Sequence, residues 1–250
     1  MSKIKQVSAR EILNSKGEVI KTLPTGKRRG INRVYWSTSL RLPKLASTES
    51  LGGMVFGGPT VEPGTYTVRL TKNKMEYTST IELRPDKLTT HSQEDRQTRY
   101  NAVMKTYNML EHMAYIADTL KGIKEDLEKI VKKEEKIIPG KTKKFMEKQL
   151  VILEGIRGEI IDPDADMYSS EKLQGKTITI YSSMLGYAGR PSESQSTYVD
   201  TLETRLTEVE KRFNDFIEKN LPQVNQQLSA LKIAGIKIIS EEEYRKELEK

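Results

Sequence analysis

Two different spacings of apolar residues divide this chain near residue 88. Up to that point, apolar and polar positions alternate in short runs between turn residues, the pattern of half-buried strands. Apolar residues alternate or cluster over Ile4–Leu13, and Asn14-Ser15-Lys16-Gly17 supplies turn chemistry. Glu18–Leu23 reads as a short strand that ends at Pro24, and Gly26 and Gly30 bracket a polar turn. Asn32–Ser37 reads as the next strand, with Val34 and Trp36 on one face. Residues 38–63 read as a long loop enclosing the short apolar piece Met54-Val55-Phe56. The clearest hairpin follows. Tyr66, Val68 and Leu70 share one face, Lys72-Asn73-Lys74 turns, and Tyr77, Ser79, Ile81 and Leu83 alternate on the return until Pro85 stops the pairing. Five or six short strands in this space predict a small antiparallel β-sandwich.

From His91 the spacing becomes that of helices. Val103, Tyr107, Leu110, Met113, Ile116, Leu120, Ile123, Leu127 and Ile130 recur at steps of three and four. They predict one long helix over Ser92–Glu135, with Ser92 as its cap and Asp95 three residues on. A second helix is predicted over Thr142–Ile161, with Phe145, Met146, Gln149, Ile152, Leu153 and Ile156 inward. Ser170–Tyr187 satisfies two patterns. Thr177-Ile178-Thr179-Ile180-Tyr181 has strand propensity, yet Ile178, Tyr181, Met184 and Leu185 share a helical face. Its helical neighbours favour helix. The last helix starts at Ser192 and carries Val199, Leu202, Leu206, Val209, Phe213, Phe216, Leu221, Val224, Leu228 and Leu231 inward. Pro222 is expected to kink it, Gly235 to cap it, and a polar tail to follow. The stripes drift from strict heptads, so the expectation is a three- to four-helix bundle. The fold class is therefore α+β in two modules, with the sandwich at 1–88 and the bundle at 89–250.

Composition then narrows the function. Hydrophobic residues are 36% and charged residues 31% of the 250, which is polar but too periodic for a disordered chain. Residues 1–88 hold 16 Lys and Arg against 7 Asp and Glu, or +9; the rest hold 26 against 28, or −2. The basic excess thus belongs to the first module. Its charges alternate with β-type residues as on a solvated sheet face, clustering only at Lys27-Arg28-Arg29, so no nucleic-acid partner is expected. With no cysteine, disulfides and thiolate chemistry are excluded. No apolar run is long enough to span a membrane, and the first residues lack the apolar core of a signal peptide.

No site residue, cofactor or metal emerges from the chemistry-bearing residues. His91 and His112 have no partner at metal-ligand spacing and read as solvated. Asp162-Pro163-Asp164-Ala165-Asp166 begins like a calcium loop, with Glu171 as one more oxygen donor. The sixth and twelfth positions, however, are Met167 and Leu173 where an EF-hand needs Gly and Glu, so it reads as an acidic turn. Gly52, Gly53, Gly57 and Gly58 precede neither Lys-Ser/Thr nor a helix start, and serve a turn or close packing rather than a phosphate. Trp36 reads as core. Tyr35, Tyr66 and Tyr77 are the aromatics a carbohydrate platform would need, but alternation puts Tyr66 on the core face.

Three segments carry a resemblance: Gly17-x-Val19-x-Lys21-Thr22-Leu23, Gly30-x-Asn32-x-x-x-Trp36 and Val61-x-Pro63-Gly64-x-Tyr66-x-Val68-Arg69-Leu70. Together they resemble the Ig-like β-sandwich of flagellar hook-capping proteins, with Ser37-Thr38 where that pattern has Asp-Gly. The helical part adds Arg190-Pro191-Ser192, then Leu221-Pro222-x-x-Asn225-x-x-Leu228 and Ala234-Gly235-Ile236. The whole order is similar to the C-terminal region of bacterial sortilin-like proteins with Asp-box (BNR) β-propeller repeats. The resemblance implies part of a longer exported chain, periplasmic, outer-membrane-associated or extracellular, with a propeller upstream. The Asp-box itself, Ser-x-Asp-x-Gly-x-x-Trp, is absent here, so no hydrolase activity carries over. The expected function is non-catalytic protein interaction or scaffolding, the partner being that propeller or another protein. A carbohydrate-binding accessory module and a homo-oligomerising helical bundle are the alternatives.

Overall fold

A computed structural model describes residues 7–24, 32–46, 57–134, 137–162 and 171–248. The fold is mixed α+β. The described residues divide into two compact units: those of Met1–Leu42, Gly57–Tyr100 and Ala188–Arg190, and those of Pro43–Phe56, Asn101–Tyr187 and Pro191–Lys250.

The first unit is built on one antiparallel sheet of β1 (Val7–Leu13), β2 (Val19–Thr22), β3 (Gly64–Lys72) and β4 (Met75–Leu83), in the order β2-β1-β3-β4. Local chemistry sets both turns. Asn14 Oδ1 accepts the backbone N–H groups of Lys16 and Glu18, and Gly17 takes φ +80°, which closes β1 onto β2. Lys72 pairs with Met75, and the two residues between them, Asn73 and Lys74, have φ of +51° and +66°. That is the two-residue hairpin whose twist matches the strands. In register, Tyr66 faces Ile81, Val68 faces Ser79 and Leu70 faces Tyr77, so the expected apolar face forms across β3 and β4.

Asn32–Ser37 does not join this sheet. It keeps the alternation, with Val34 and Trp36 half-buried and Tyr35 exposed, but among the described residues of 25–63 the only bridge is Ser39 with Thr60. A strand needs a partner edge as well as a pattern, and 32–37 pairs with neither outer edge of the sheet. Residues 38–40 pair instead with 59–61, through Leu40 N–H to Pro59 O and Val61 N–H to Thr38 O, 2.8 Å each. Gly58 permits that approach: a Cβ there would lie 2.2 Å from Leu40 O. Close packing is therefore the role of this glycine. Trp36, Leu40 and Val61 gather over Ile12 and Tyr66, and the Trp36 and Tyr66 rings meet edge to face at 5.4 Å.

The second unit is helical: α1 (Gln93–Lys133, from Asn101 on), α2 (Gly140–Ile160), α3 (Leu173–Leu185), α4 (Glu193–Asp215), α5 (Leu221–Ala230) and α6 (Glu241–Leu248). Every residue of the expected α1 stripe is buried except Ile130, which is half-buried against the same core. On α2, Met146, Leu153 and Ile156 are buried, whereas Ile152 is 40% exposed, so the inward face is narrower than its apolar positions suggest. Within the segment 170–187, Leu173–Leu185 is helical. Thr177 and Thr179 spend their hydroxyls on the carbonyls of Leu173 and Gly175, one turn back.

Near the end of the chain the helix is interrupted at Pro222, while its closing residue differs from expectation. Pro222 has no N–H to continue the ladder, and the chain absorbs this as a π-helical turn over Phe216–Asn220 between α4 and α5. The end of α5 is closed by Lys232, not Gly235. Lys232 adopts φ +60°, its N–H reaches Ser229 O, and the N–H of Ile233 reaches Leu228 O. Gly235 instead passes under Asn225, where a Cβ would sit 3.0 Å from Oδ1. Asn225 then holds Ile236 by both backbone groups, accepting its N–H at 2.8 Å and donating to its carbonyl at 3.0 Å. The expected polar tail is in part α6, opened by a Ser240–Glu243 capping box. No described helix is long and apolar enough to cross a membrane.

Candidate functional site

In the first unit, α1 starts where Ser92 and Asp95 cap one another: Ser92 Oγ donates to Asp95 Oδ2 at 2.7 Å, and the Asp95 N–H donates back to Ser92 Oγ at 3.1 Å. That fixes the phase of the first two turns, so Gln93, Arg96, Gln97 and Tyr100 fall on one face. This face lines a cleft of about 580 Å³, and every residue lining it belongs to the first unit. Opposite stand Val61, Glu62 and Pro63, together with Leu83, Arg84 and Pro85 at the end of β4. Arg99 also lines it. Arg96 is held by donation from Nη1 to the carbonyl of His91, 2.6 Å away. Burial pulls the Arg99 guanidinium below its usual range. Burial likewise pushes the Tyr100 and Tyr66 hydroxyls up, with the Glu62 carboxylate acting the same way on both. The cleft thus presents three guanidinium groups and one carboxylate beside an apolar wall.

The sheet has a second feature. Cover over its apolar face is confined to the end near Ile12 and Tyr66; at the hairpin end Tyr77 is 49% and Met75 58% exposed. Among the described residues no strand pairs with the outer edge of β4.

In the second unit, His112 is not solvated as expected. Its side chain is 20% exposed, with Nδ1 2.9 Å from Glu241 Oε2 on α6 and Nε2 3.5 Å from Glu210 Oε1 on α4. The latter is an ion-pair distance without a hydrogen bond. Arg245 also donates to Glu241, at 2.6 Å, and Lys105 lies in the same polar cluster. Burial favours protonation of Glu241, but donation from Arg245 and the charges of His112 and Arg245 outweigh it and hold the carboxyl below the usual range. The sign of the pH effect follows. A lowered folded value stabilises above the ordinary glutamate range, and that contribution is lost as pH falls through the folded value. Protonating Glu241 removes the acceptor shared by His112 and Arg245. Amide exchange of residues 241–248 is therefore expected to lose protection at about pH 3 relative to pH 7, ahead of the α1 core. Equal protection at both would show that these pairs do not hold α6.

The other candidates are placed as follows. His91 lies at the start of α1, with its carbonyl taken by Arg96. Tyr66 is in the core with Trp36, while Tyr35 is 78% exposed, so the three tyrosines do not share one surface. Gly52 and Gly53, Lys27-Arg28-Arg29 and the Asp164-Ala165-Asp166 part of the acidic turn lie outside the described residues. Sequence reasoning missed Arg84, Arg96 and Arg99 because helix start and strand end meet only in the fold; the capping box was the one local signal. It also missed two buried polar anchors. Glu111 accepts the N–H of Lys44, and Gln174 Oε1 accepts that of Ala46 at 2.9 Å. Compared with known protein families, curated proteins and solved structures, the chain has no match.

Proposed function

We propose that this chain is a non-catalytic interaction region, the C-terminal part of a larger exported bacterial propeller protein, and that its sheet-bearing unit docks on the propeller. The observation that carries this reading is the apolar sheet face, which continues past its covered end to exposed Tyr77 and Met75 beside the outer edge of β4, with which no described strand pairs. Monomeric proteins rarely leave such a face and edge open together without use. In this reading the first unit is an Ig-like sandwich whose second layer is the short pairing of residues 38–40 with 59–61, and the second unit is a helical bundle. The homo-oligomer alternative draws less support: among the described residues of α1, none of the large apolar ones is exposed.

Two measurements test the proposal. Light scattering at two concentrations should give a monomer of about 28.6 kDa. A concentration-dependent dimer, lost in Tyr77→Asp, would assign the sheet face to self-assembly instead. Immunodetection in the native cells should find this sequence in a longer, exported polypeptide; a cytosolic protein of the chain's own mass would overturn the propeller reading.

A further inference from the structure

We infer that Arg10 is the ionic anchor of the docking face: the protein surface that lies on Leu70 and Tyr77 brings a carboxylate to its guanidinium. This rests on the docking reading above and adds the chemistry the partner must carry. Register places Arg10 on that face. It stands opposite Leu70, and Leu70 opposite Tyr77, so the three form one row across β1, β3 and β4. The adjoining row holds Ile12 and Val68 of the covered cluster, so Arg10 sits where cover ends. Arg10 is half-buried, and its Nη1 is shielded from solvent with no hydrogen-bond partner among the described residues. Trp36 Nε1, in the cluster over Ile12, is a second shielded donor without a described partner. Both groups only donate, so what this face lacks is an acceptor.

The strands do not supply one. Register divides the charged residues of β1, β3 and β4 by face: Arg10 and Lys72 share the apolar face, while Glu11, Arg69, Glu76 and Glu82 lie on the other. Glu11 is taken by Arg69 at 2.7 Å and Glu82 by Arg84 at 2.6 Å. In the turn after β1, Glu18 accepts from the Asn14 side chain at 2.6 Å. A partner that covered this row with apolar groups alone would strip water from a guanidinium and leave it unpaired, which opposes docking. A carboxylate removes that cost with up to two parallel hydrogen bonds, and apolar side chains beside it meet Leu70 and Tyr77. In an extended segment, the matching pattern is a carboxylate with apolar side chains two residues away on the same face.

The test is a titration of the full chain with acetyl-Leu-Ser-Glu-Ser-Leu-amide and with its neutral isostere acetyl-Leu-Ser-Gln-Ser-Leu-amide, followed by arginine side-chain and tyrosine ring NMR shifts. The acidic peptide is expected to give saturable shifts at Arg10 and Tyr77. The isostere should bind at least about tenfold more weakly, a difference of about 1.4 kcal/mol. Arg10→Gln should erase that preference, and Tyr77→Ser should weaken both peptides. The comparison of the two peptides on the unaltered chain needs no variant, so it decides the matter if Arg10→Gln does not fold. Arg10→Leu should melt no lower than the wild type, since it removes an unpaired donor; a lower melting temperature would show the guanidinium to be satisfied within the fold and overturn the anchor. Equal binding of the two peptides, weakened by Tyr77→Ser, would overturn the anchor and leave the docking face standing. Binding of neither at millimolar peptide would overturn the anchor, and the mass and location of the native polypeptide would then judge the docking reading alone.

Discussion

Tyr181→Ala will destabilise the helical unit by about 3–5 kcal/mol, the range for emptying a large buried side chain without collapse of the site. Tyr181 is fully buried on α3, within the cluster that joins α1, α2, α3, α4 and α5. Its hydroxyl is buried as well. Burial first, then the nearby Tyr107 and Glu111, push its ionisation far above the ordinary tyrosine range, so it remains a neutral donor throughout the physiological range. Tyr181→Phe separates the two contributions. It keeps the ring and removes only the hydroxyl, and should cost about 1–2 kcal/mol. Urea unfolding of the three proteins checks this, with the midpoint falling in the order wild type, Phe, Ala at a constant slope. A loss below about 1 kcal/mol for alanine would show that α3 does not organise this core.

The same helix shows where sequence patterning loses its grip. Thr177-Ile178-Thr179-Ile180-Tyr181 alternates as a strand does, because Ile178 and Ile180 are both buried along with Thr177 and Tyr181. A helix enclosed on several sides has no polar stripe to report its period. The long helix α1 and the β3–β4 hairpin were legible for the opposite reason. Each has one wet face, and each begins with local chemistry, the Ser92–Asp95 box and Pro63-Gly64. Helix α6 carried the same kind of signal in Ser240 and Glu243, but Tyr244 is almost its only core contact, too little apolar residue to register as a stripe. The end of α5 misled because glycine is the usual residue at a left-handed position. Lys232 takes that position, and Gly235 is reserved for the contact with Asn225. The arginine cleft and the His112 cluster were hidden for a further reason: their residues stand 129 positions apart in one pairing and come together only after packing.

Glu111→Ala is expected to cost about 2–4 kcal/mol, a large loss for a residue whose charge would suggest a surface position. Glu111 is 2% exposed, in the buried face of α1, and accepts the backbone N–H of Lys44. Truncation leaves that N–H without its acceptor and opens a void beside Tyr107 and Tyr181. Gln174 acts in parallel: it is fully buried and accepts the N–H of Ala46, two residues along. Two polar side chains from different helices thus take the backbone donors of one short irregular segment, the condition under which such a segment can be buried. Glu111→Gln preserves an acceptor oxygen and most of the volume, so it should retain more than half of the stability lost in alanine. The readouts are the unfolding midpoint and amide exchange at Lys44. If glutamine costs as much as alanine, and Lys44 remains protected in both, the carboxylate acts through its charge on the surrounding tyrosines and not as the acceptor for the chain.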